Sequence, residues 1–264
     1  MKHKLMWLVL GAVLLFHTPI QAQSFNLSQY TQDQLDDQIE PLLQLFASLV
    51  GSGFVNTAEL HGIAGFDLGA RAVLAIVPDE YKQFAPPQPP GPLAGQDVVP
   101  LPFLNASLGL PGNLEAMGRL FTFPMGDDPT RGAVTLAGLG LKYGILQLPA
   151  LPKIVVIGAY HMLFVPEDFD FGTVKVASAK IFSSVDFLIF TLYVGAGIDR
   201  TFLTVEIPAG SPNFPGGFKE TFSGTHTHTT VGLTATIFPL VRANVDYNFG
   251  KFPSATVGLS VSFR

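Results

Sequence analysis

The sequence has no cysteine, little charge and few long apolar runs. Without cysteine, the chain has no thiol nucleophile, no thiolate-bound metal and no lipid-modified N-terminal cysteine, which excludes a lipoprotein. Charged residues make up 13% of the 264 residues and hydrophobic residues 48%, whereas soluble domains contain about 25% charged residues. The composition therefore argues against a soluble globular protein.

The long apolar run that does occur lies at the N-terminus, over residues 5–16. Lys2 and Lys4 precede it, and a short polar stretch ending at Ala22 follows, which is the order of a secretory signal peptide. A helical membrane protein would repeat runs of 18 or more apolar residues. We predict a cleaved signal peptide over residues 1–22, rather than a short membrane anchor.

The exported chain is acidic. Cleavage after Ala22 leaves 13 basic and 20 acidic residues, a net charge of −7. Nucleic-acid binding requires a basic surface, so the charge argues against a nucleic-acid partner.

Residues 23–55 form a separate N-terminal segment in this interpretation. Apolar residues recur there at intervals of three and four, and acidic residues occupy the early turns, which predicts one amphipathic helix over about residues 31–50. Two placements remain open. The helix packs on the periplasmic mouth of the following domain, or it lies inside that domain as a plug.

From Gly65 onward the apolar residues recur with a period of two, which predicts β-strands over residues 56–264. The closing segment alternates apolar and small polar residues and reaches Phe263, as the last strand of a transmembrane β-barrel does. Ten strands are expected, with twelve left open because residues 201–207 could add strand length or a hairpin. The expected strands are 66–77, 101–109, 114–123, 132–147, 153–165, 173–182, 187–199, 225–238, 241–249 and 254–264.

The connections between these strands alternate in length. Residues 79–100, 124–131, 166–172 and 200–224 form the longer set, and residues 110–113, 148–152, 183–186 and 239–240 form the shorter set. Short periplasmic turns and longer outer loops are typical of outer-membrane barrels. The fold class expected is an all-β, antiparallel transmembrane β-barrel in the bacterial outer membrane, preceded by a short amphipathic helix.

Several segments resemble an uncharacterised family of bacterial outer-membrane β-barrel proteins of the Bacteroidetes type. The resemblance spans roughly residues 30–264 and rests on residues 56–69 and 77–80, 108–119, 138–142, 245–247 and 257–264. It implies the barrel fold and the outer-membrane location. It implies no activity and transfers no site.

Charged residues on the expected inner faces are the candidate site. A charge that faces lipid near the midplane costs about 2–4 kcal/mol, so these residues should face the lumen. Partners spaced i, i+4 on one strand lie about 13 Å apart, so we expect pairs across strands, including Arg71 with Asp246. The network is expected either to fill a narrow lumen or to line a pore, and it comprises Asp67, Arg71, Glu115, Arg119, Lys142, Arg242 and Asp246.

No catalytic motif is present, and we expect no enzyme and no cofactor. His226 and His228 are a weak candidate for a metal site, because two histidines at i, i+2 share one strand face. The interpretation that we favour for the pair is a polar rim at the outer mouth. A hydrolase at that rim, using these histidines with Asp127, Asp128, Asp168 and Asp170, is a third possibility for function.

The expected function is a pore or binder for small solutes, hydrophobic ones included. The alternative is a structural or surface-interaction barrel that uses residues 79–100 and 200–224. The expected partners are outer-membrane lipid, a small solute, and the outer-membrane assembly machinery through the C-terminal strand.

Overall fold

The computed structural model describes residues 31–82, 93, 95–124, 133–164 and 171–263, and the predicted signal peptide lies outside these ranges. Ten antiparallel strands form a closed barrel in which each strand pairs with its neighbours in sequence and the last pairs with the first. Ten strands are therefore confirmed, and twelve is wrong. The elements are α1 (Gln32–Gly51), β1 (Phe66–Ile76), β2 (Val98–Leu110), β3 (Leu114–Pro124), β4 (Ala133–Leu146), β5 (Lys153–Phe164), β6 (Phe171–Phe187), β7 (Phe190–Ile207), β8 (Phe218–Phe238), β9 (Val241–Phe249) and β10 (Ser254–Phe263).

Successive residues along each strand lie alternately on the outer and the inner face of the barrel. On β7, Leu192 is 51% exposed on the outside of the barrel, whereas Asn244 on β9 is 6% exposed inside it. Exposed apolar side chains continue around the outer face of every strand and form an apolar belt. Aromatic residues lie near both edges of this belt, among them Phe66, Phe187, Phe238 and Phe263 at one edge and Phe164 and Phe249 at the other.

The two ends of the barrel differ in their connections. Residues 77–97, 125–132, 165–170, 208–217 and 250–253 join the strands at one end, which we call the long-connection end. Residues 111–113, 147–152, 188–189 and 239–240 join them at the other, the short-connection end, where β1 begins and β10 ends. In the first connection, Lys82 bridges Asp79 and Asp97 at 2.9 and 2.8 Å. The hydrogen bond from Lys82 holds the pKa of Asp97 below its usual value.

Two expected boundaries around β6, β7 and β8 are wrong. The turn expected at Ser183–Ser184 lies at residues 188–189 instead, because Ser184 faces the lumen and its hydroxyl accepts a hydrogen bond from the Ala58 amide at 3.0 Å. The excursion expected over residues 200–224 is mostly strand, since β7 and β8 stay paired from Arg200–Thr225 to Ile207–Phe218. β8 is 21 residues long and β9 only nine, so the β7–β8 hairpin projects beyond its neighbour.

Helix α1 lies inside the barrel rather than on the short-connection mouth. It packs against β1, β6, β7 and β8 near the long-connection end, because its apolar face meets an apolar wall there. The chain then runs through the lumen as residues 52–64 and reaches β1 at the opposite end. Within the described residues, no helix is both long and apolar enough to cross a membrane.

Candidate functional site: the lumen and its N-terminal segment

The half of the lumen next to the long-connection end is apolar. Helix α1 contributes one side of this cluster through buried residues that include Ile39, Leu42 and Leu49. The barrel wall contributes the other side from six strands and three connections. We call this region the apolar half, and its buried wall residues are Val73, Ala75, Val77, Leu93, Phe103, Leu136, Leu163, Val174, Val176, Leu203, Val205, Ile207, Phe214 and Phe252.

Few polar contacts join α1 to the wall of the apolar half. The Ser48 hydroxyl donates to the Phe252 carbonyl at 2.8 Å, and Gln44 Oε1 lies 2.9 Å from His226 Nδ1. Glu40 and Lys251 form an ion pair at 2.7 Å with both side chains about half exposed. The contact between helix and wall therefore consists mainly of apolar packing, which has no preferred direction.

The rest of the lumen is lined by charge, and we call it the charged half. Four cations and four acids are fully buried in it, so the formal charges balance. Buried charges need partners, because an unpaired charge in a water-poor interior is very costly. The cations are Arg71, Arg119, Lys142 and Lys180, which we call the four luminal cations, and the acids are Asp67, Glu115, Asp199 and Asp246.

Three luminal cations hold the C-terminal end of α1. Arg119 donates to the carbonyls of Val50 and Ser52 at 2.6 and 3.0 Å. Lys180 donates to the Gly51 carbonyl at 2.6 Å, and Arg71 donates to the Gly53 carbonyl at 2.7 Å. The last carbonyls of a helix lack partners within the helix and carry partial negative charge. Cations from three different strands supply those partners here.

The fourth luminal cation holds the same segment further along. Lys142 donates to the Glu59 carbonyl at 2.9 Å and lies 3.3 Å from the Glu115 carboxylate. Glu115 also accepts the His61 amide at 3.0 Å and contacts the His61 ring at 2.9 Å. All four luminal cations thus bind backbone carbonyls of α1 or of residues 52–64, which together we call the N-terminal segment from here on.

Asp199 lies at the centre of the charged half. Its carboxylate accepts the Ser178 hydroxyl at 2.5 Å and lies 3.4 Å from Lys180 and 3.1 Å from His228. An added Cβ at Gly51 would come within 2.3 Å of this carboxylate. A glycine at that position lets the helix end approach the charged wall closely.

Gly53 begins the extended part of the segment after α1. Its φ of +67° is a conformation that side chains other than glycine rarely adopt. The following Phe54 packs edge-on against His161 at 5.1 Å, and Arg119 lies 4.6 Å above the Phe54 ring. The segment is therefore fixed by backbone geometry as well as by charge.

The candidate residues are all in the barrel interior, but their partners differ from those expected. Arg71 does not pair with Asp246, because the Gly53 carbonyl and Asp67, 3.7 Å away, occupy its guanidinium. The expectation that i, i+4 partners on one strand cannot meet is wrong for Arg71 and Asp67, since the long arginine side chain extends back along the strand. Asp246 accepts hydrogen bonds from Tyr193 and Asn248, both at 3.0 Å.

Arg242 is the exception among the candidates, since it is only half-buried and forms no ion pair within the described residues. Sequence reasoning missed Lys180, Asp199 and the buried His161. A signal for Lys180 and Asp199 existed, because each alternates in phase with inward residues of its own strand.

His226 and His228 lie inside the lumen, so their expected position at the outer rim is wrong. They are 4% and 6% exposed, and their rings stack at 5.9 Å. Their nearest polar partners are Gln44 and Asp199. Among the described residues, no group of three or more metal-ligating side chains is present. The four aspartates considered for a rim hydrolase lie outside the described residues.

The N-terminal segment leaves little free space in the lumen. Two internal cavities lie beside residues 51–56, each of about 10 Å³, which is room for roughly one water molecule. One is bounded by Lys180 and Asp246, and the other by Asp67, Arg71 and Lys142. In this conformation the described part of the lumen is closed.

Residues 87–263 match a family of unknown function, DUF6588. The chain belongs to this family. The predicted membership of an uncharacterised family is thereby confirmed, while the Bacteroidetes-type origin stays a prediction. Among curated proteins, none matches the sequence.

Several solved structures are similar in outline. The N-terminal β-barrel domain of Pseudomonas aeruginosa OprF is 12% identical, with 77% of this chain and 100% of that chain covered and a TM-score of 0.33. The Ralstonia pickettii toluene transporter TbuX is 10% identical, with 84% and 98% covered and a TM-score of 0.33. The Yersinia pestis attachment invasion locus protein Ail is 11% identical, with 77% and 99% covered and a TM-score of 0.31. Similarity this low implies nothing about function.

Proposed function

We propose that the protein is an outer-membrane barrel with its long-connection end facing the cell exterior. The apolar belt, the aromatic residues at its edges and the closed hydrogen-bonded sheet meet the requirements of a chain in lipid. The difference in connection length supports the orientation. The predicted signal peptide supports export.

A pair of matched variants tests this placement. Leu192→Arg puts a charge on the apolar belt and should cost about 2–4 kcal/mol if that residue lies near the midplane of a bilayer. Thr204→Arg changes the same face of the same strand beyond the belt and should insert normally. Membrane fractionation and heat-modifiable migration on gels report the result. Equal membrane yields, or wild-type protein in the soluble periplasm, would contradict the placement.

We further propose that the apolar half of the lumen takes up a small apolar solute in place of α1. The observation that carries this proposal is the wall itself, because the interior of an outer-membrane barrel is normally polar. The wall and helix bury an apolar cluster with only a few polar contacts between them. A solute that offers the same apolar surface can replace most of the contacts of the helix, since few buried wall groups, such as the Phe252 carbonyl and the His226 ring, lose a polar partner.

Passage through the barrel requires a second step. When α1 leaves the apolar half, residues 52–64 still occupy the charged half, where Arg71, Arg119 and Lys142 bind the carbonyls of Gly53, Ser52 and Glu59. Those contacts must also break before an open path exists. The proposal therefore predicts a solute-binding barrel with low conductance at rest, rather than a permanently open pore.

Binding of N-phenyl-1-naphthylamine, a small apolar fluorophore, tests the proposal. The protein is placed in lipid nanodiscs, and fluorescence from empty nanodiscs is subtracted. Leu42→Ala with Leu45→Ala removes buried helix surface at about 2–5 kcal/mol per site. Because the helix competes with the solute, this variant should bind the fluorophore at least about tenfold more tightly.

The control blocks the same movement. Glu40→Cys with Lys251→Cys, joined by a short bismaleimide, holds α1 in place through its exposed ion-pair positions. The cross-linked protein should lose fluorophore binding, and the unlinked variant should keep it. Binding that is unchanged in every variant would place the fluorophore elsewhere and contradict the proposal. Planar-bilayer conductance of the wild type should be small, and steady large conductance would favour an open pore.

The projecting β7–β8 hairpin supports a second candidate, a surface-interaction barrel. Apart from Phe202, its outer face is polar beyond Ile198, with an ion pair between Glu206 and Lys219 at 2.7 Å and a hydrogen bond between Thr204 and Thr221 at 3.0 Å. Glu206→Ala with Lys219→Ala and Thr221→Ala removes polar groups from this outer face only, and should weaken attachment of cells to a partner surface, if this is the function, without changing fluorophore binding.

A further inference from the structure

Charge is scarce on the outer face of the barrel. In the described strands, alternation with buried neighbours places four charged residues outward, namely Lys175, Arg200, Glu206 and Lys219. Glu206 and Lys219 pair with each other near the tip of the β7–β8 hairpin at 2.7 Å. The remaining two are both cations, and neither has an acidic partner among the described residues.

These two cations are neighbours on adjacent strands. Lys175 on β6 lies directly opposite Phe202 on β7, and Arg200 is two residues from Phe202 on the same face. Diagonal neighbours of this kind are about 7–8 Å apart. The Arg200 guanidinium lies 5.3 Å above the Phe202 ring, which orients it along the barrel surface.

The pair lies at the edge of the apolar belt. On β7 the outward residues before Arg200 are apolar, namely Leu192, Val194, Ala196 and Ile198, and those after it are Phe202, which lies under the Arg200 guanidinium, and the polar Thr204 and Glu206. On β8 the exposed Thr225 lies directly opposite Arg200 and adds a hydroxyl to the same surface. The cations therefore lie where the apolar belt gives way to a polar surface at the long-connection end.

We propose that Lys175 and Arg200, with Thr225, bind a phosphate group on the headgroup of an outer-leaflet glycolipid. A guanidinium matches phosphate with two parallel hydrogen bonds, and an ammonium adds a second positive charge. The headgroup level is where lipid phosphate meets a barrel whose belt is buried in hydrocarbon. This inference rests on the outer-membrane placement and orientation proposed above, and it is independent of solute binding in the lumen.

Native mass spectrometry of the detergent-solubilised full chain tests the site. Three probes are compared: bis-phosphorylated lipid A, the same lipid without its phosphates, and inorganic phosphate. We expect one bis-phosphorylated lipid A per barrel, at least about tenfold weaker retention of the dephosphorylated lipid, and no competition from inorganic phosphate at equal concentration.

Two variants with equal charge change separate the site from general attraction. Lys175→Gln with Arg200→Gln should weaken retention of the bis-phosphorylated lipid at least tenfold. Lys219→Gln with Lys251→Gln also removes two exposed cations near the same end and should leave retention unchanged. Heat-modifiable migration establishes that each variant is folded.

Several results would overturn the inference. Equal retention of phosphorylated and dephosphorylated lipid would mean that the phosphate is not recognised. Equal loss in both double variants would mean that net charge alone matters, and displacement by inorganic phosphate would identify an anion site without lipid selectivity. Failure of the membrane placement would appear separately, in fractionation and in the Leu192→Arg variant.

Discussion

The two halves of the lumen hold the same N-terminal segment by different means. In the apolar half, α1 is held by buried side chains that include Leu42 and Leu49, with few hydrogen bonds to the wall. In the charged half, four cations bind the carbonyls of Val50, Gly51, Ser52, Gly53 and Glu59. Apolar packing tolerates another apolar occupant, whereas charged hydrogen bonds require one backbone arrangement.

The difference indicates a division of roles along the lumen. The charged half positions the segment and closes the barrel, because releasing it leaves charges without partners. The apolar half provides the surface that a helix or a solute can fill. Substitutions that weaken one half at a time separate the two roles.

Removing Arg119 should give the largest effect. Arg119→Met keeps the apolar stem but leaves the Val50 and Ser52 carbonyls without their donor and alters the charge balance around Asp199. Breaking a buried charge contact of this kind costs about 3–5 kcal/mol. The free energy of unfolding in urea, measured in detergent micelles, reports the loss.

Arg242→Met is the matched control for Arg119. Arg242 is half-buried and lies in no described ion pair, so its loss should cost much less. Equal losses in the two variants would mean that luminal arginines act through general charge rather than through the carbonyls they bind.

Shortening Leu42 should give a smaller and more local effect. Leu42→Ala leaves a cavity in the apolar half and should cost about 3 kcal/mol of the contact between α1 and the wall. Hydrogen exchange should rise across α1 while residues 52–61 stay protected. Leu42→Met conserves volume and should change little. Faster exchange over both regions would show that the two halves release the segment together.

The sequence predicts the bounds of a strand accurately where apolar residues face out and polar residues face in along the whole strand. β9 has the expected bounds, 241–249, because apolar residues face out and polar residues face in along its whole length. On β7 the pattern inverts beyond Ile198, where Leu203, Val205 and Ile207 face in against α1 and Thr204 and Glu206 face out. The residues still alternate with a period of two, but the apolar and polar residues exchange faces. In the sequence this exchange looks like the end of a strand.

The sequence predicts which charged side chains face the lumen, but it does not predict the groups that they bind. Residues such as Arg71 and Lys142 had to face inward because lipid would not accept them. Their partners are backbone carbonyls of the N-terminal segment, and every residue type carries the same carbonyl. Composition and spacing therefore contain no signal for these contacts.

Removing the exposed ion pair of α1 should give the smallest effect. Lys251→Gln breaks the contact with Glu40, in which both side chains are about half exposed. Exposed pairs contribute about 0–1 kcal/mol and are screened by salt. The unfolding free energy of the variant should match that of the wild type in high salt. A loss as large as that of Arg119→Met would contradict the comparison between the halves.

The position of the N-terminal segment inside the lumen can be measured directly by one disulfide. The hydroxyls of Ser52 and Ser254 lie 3.0 Å apart in the barrel interior, and the native chain has no cysteine to interfere. Ser52→Cys with Ser254→Cys should form a disulfide almost completely in isolated membranes, as judged by non-reducing gels and loss of maleimide labelling. Ser52→Cys with Ser223→Cys, which puts the second cysteine on the outer face, should not. Free, maleimide-reactive thiols at both positions 52 and 254 would contradict the account, because the segment would then lie outside the lumen.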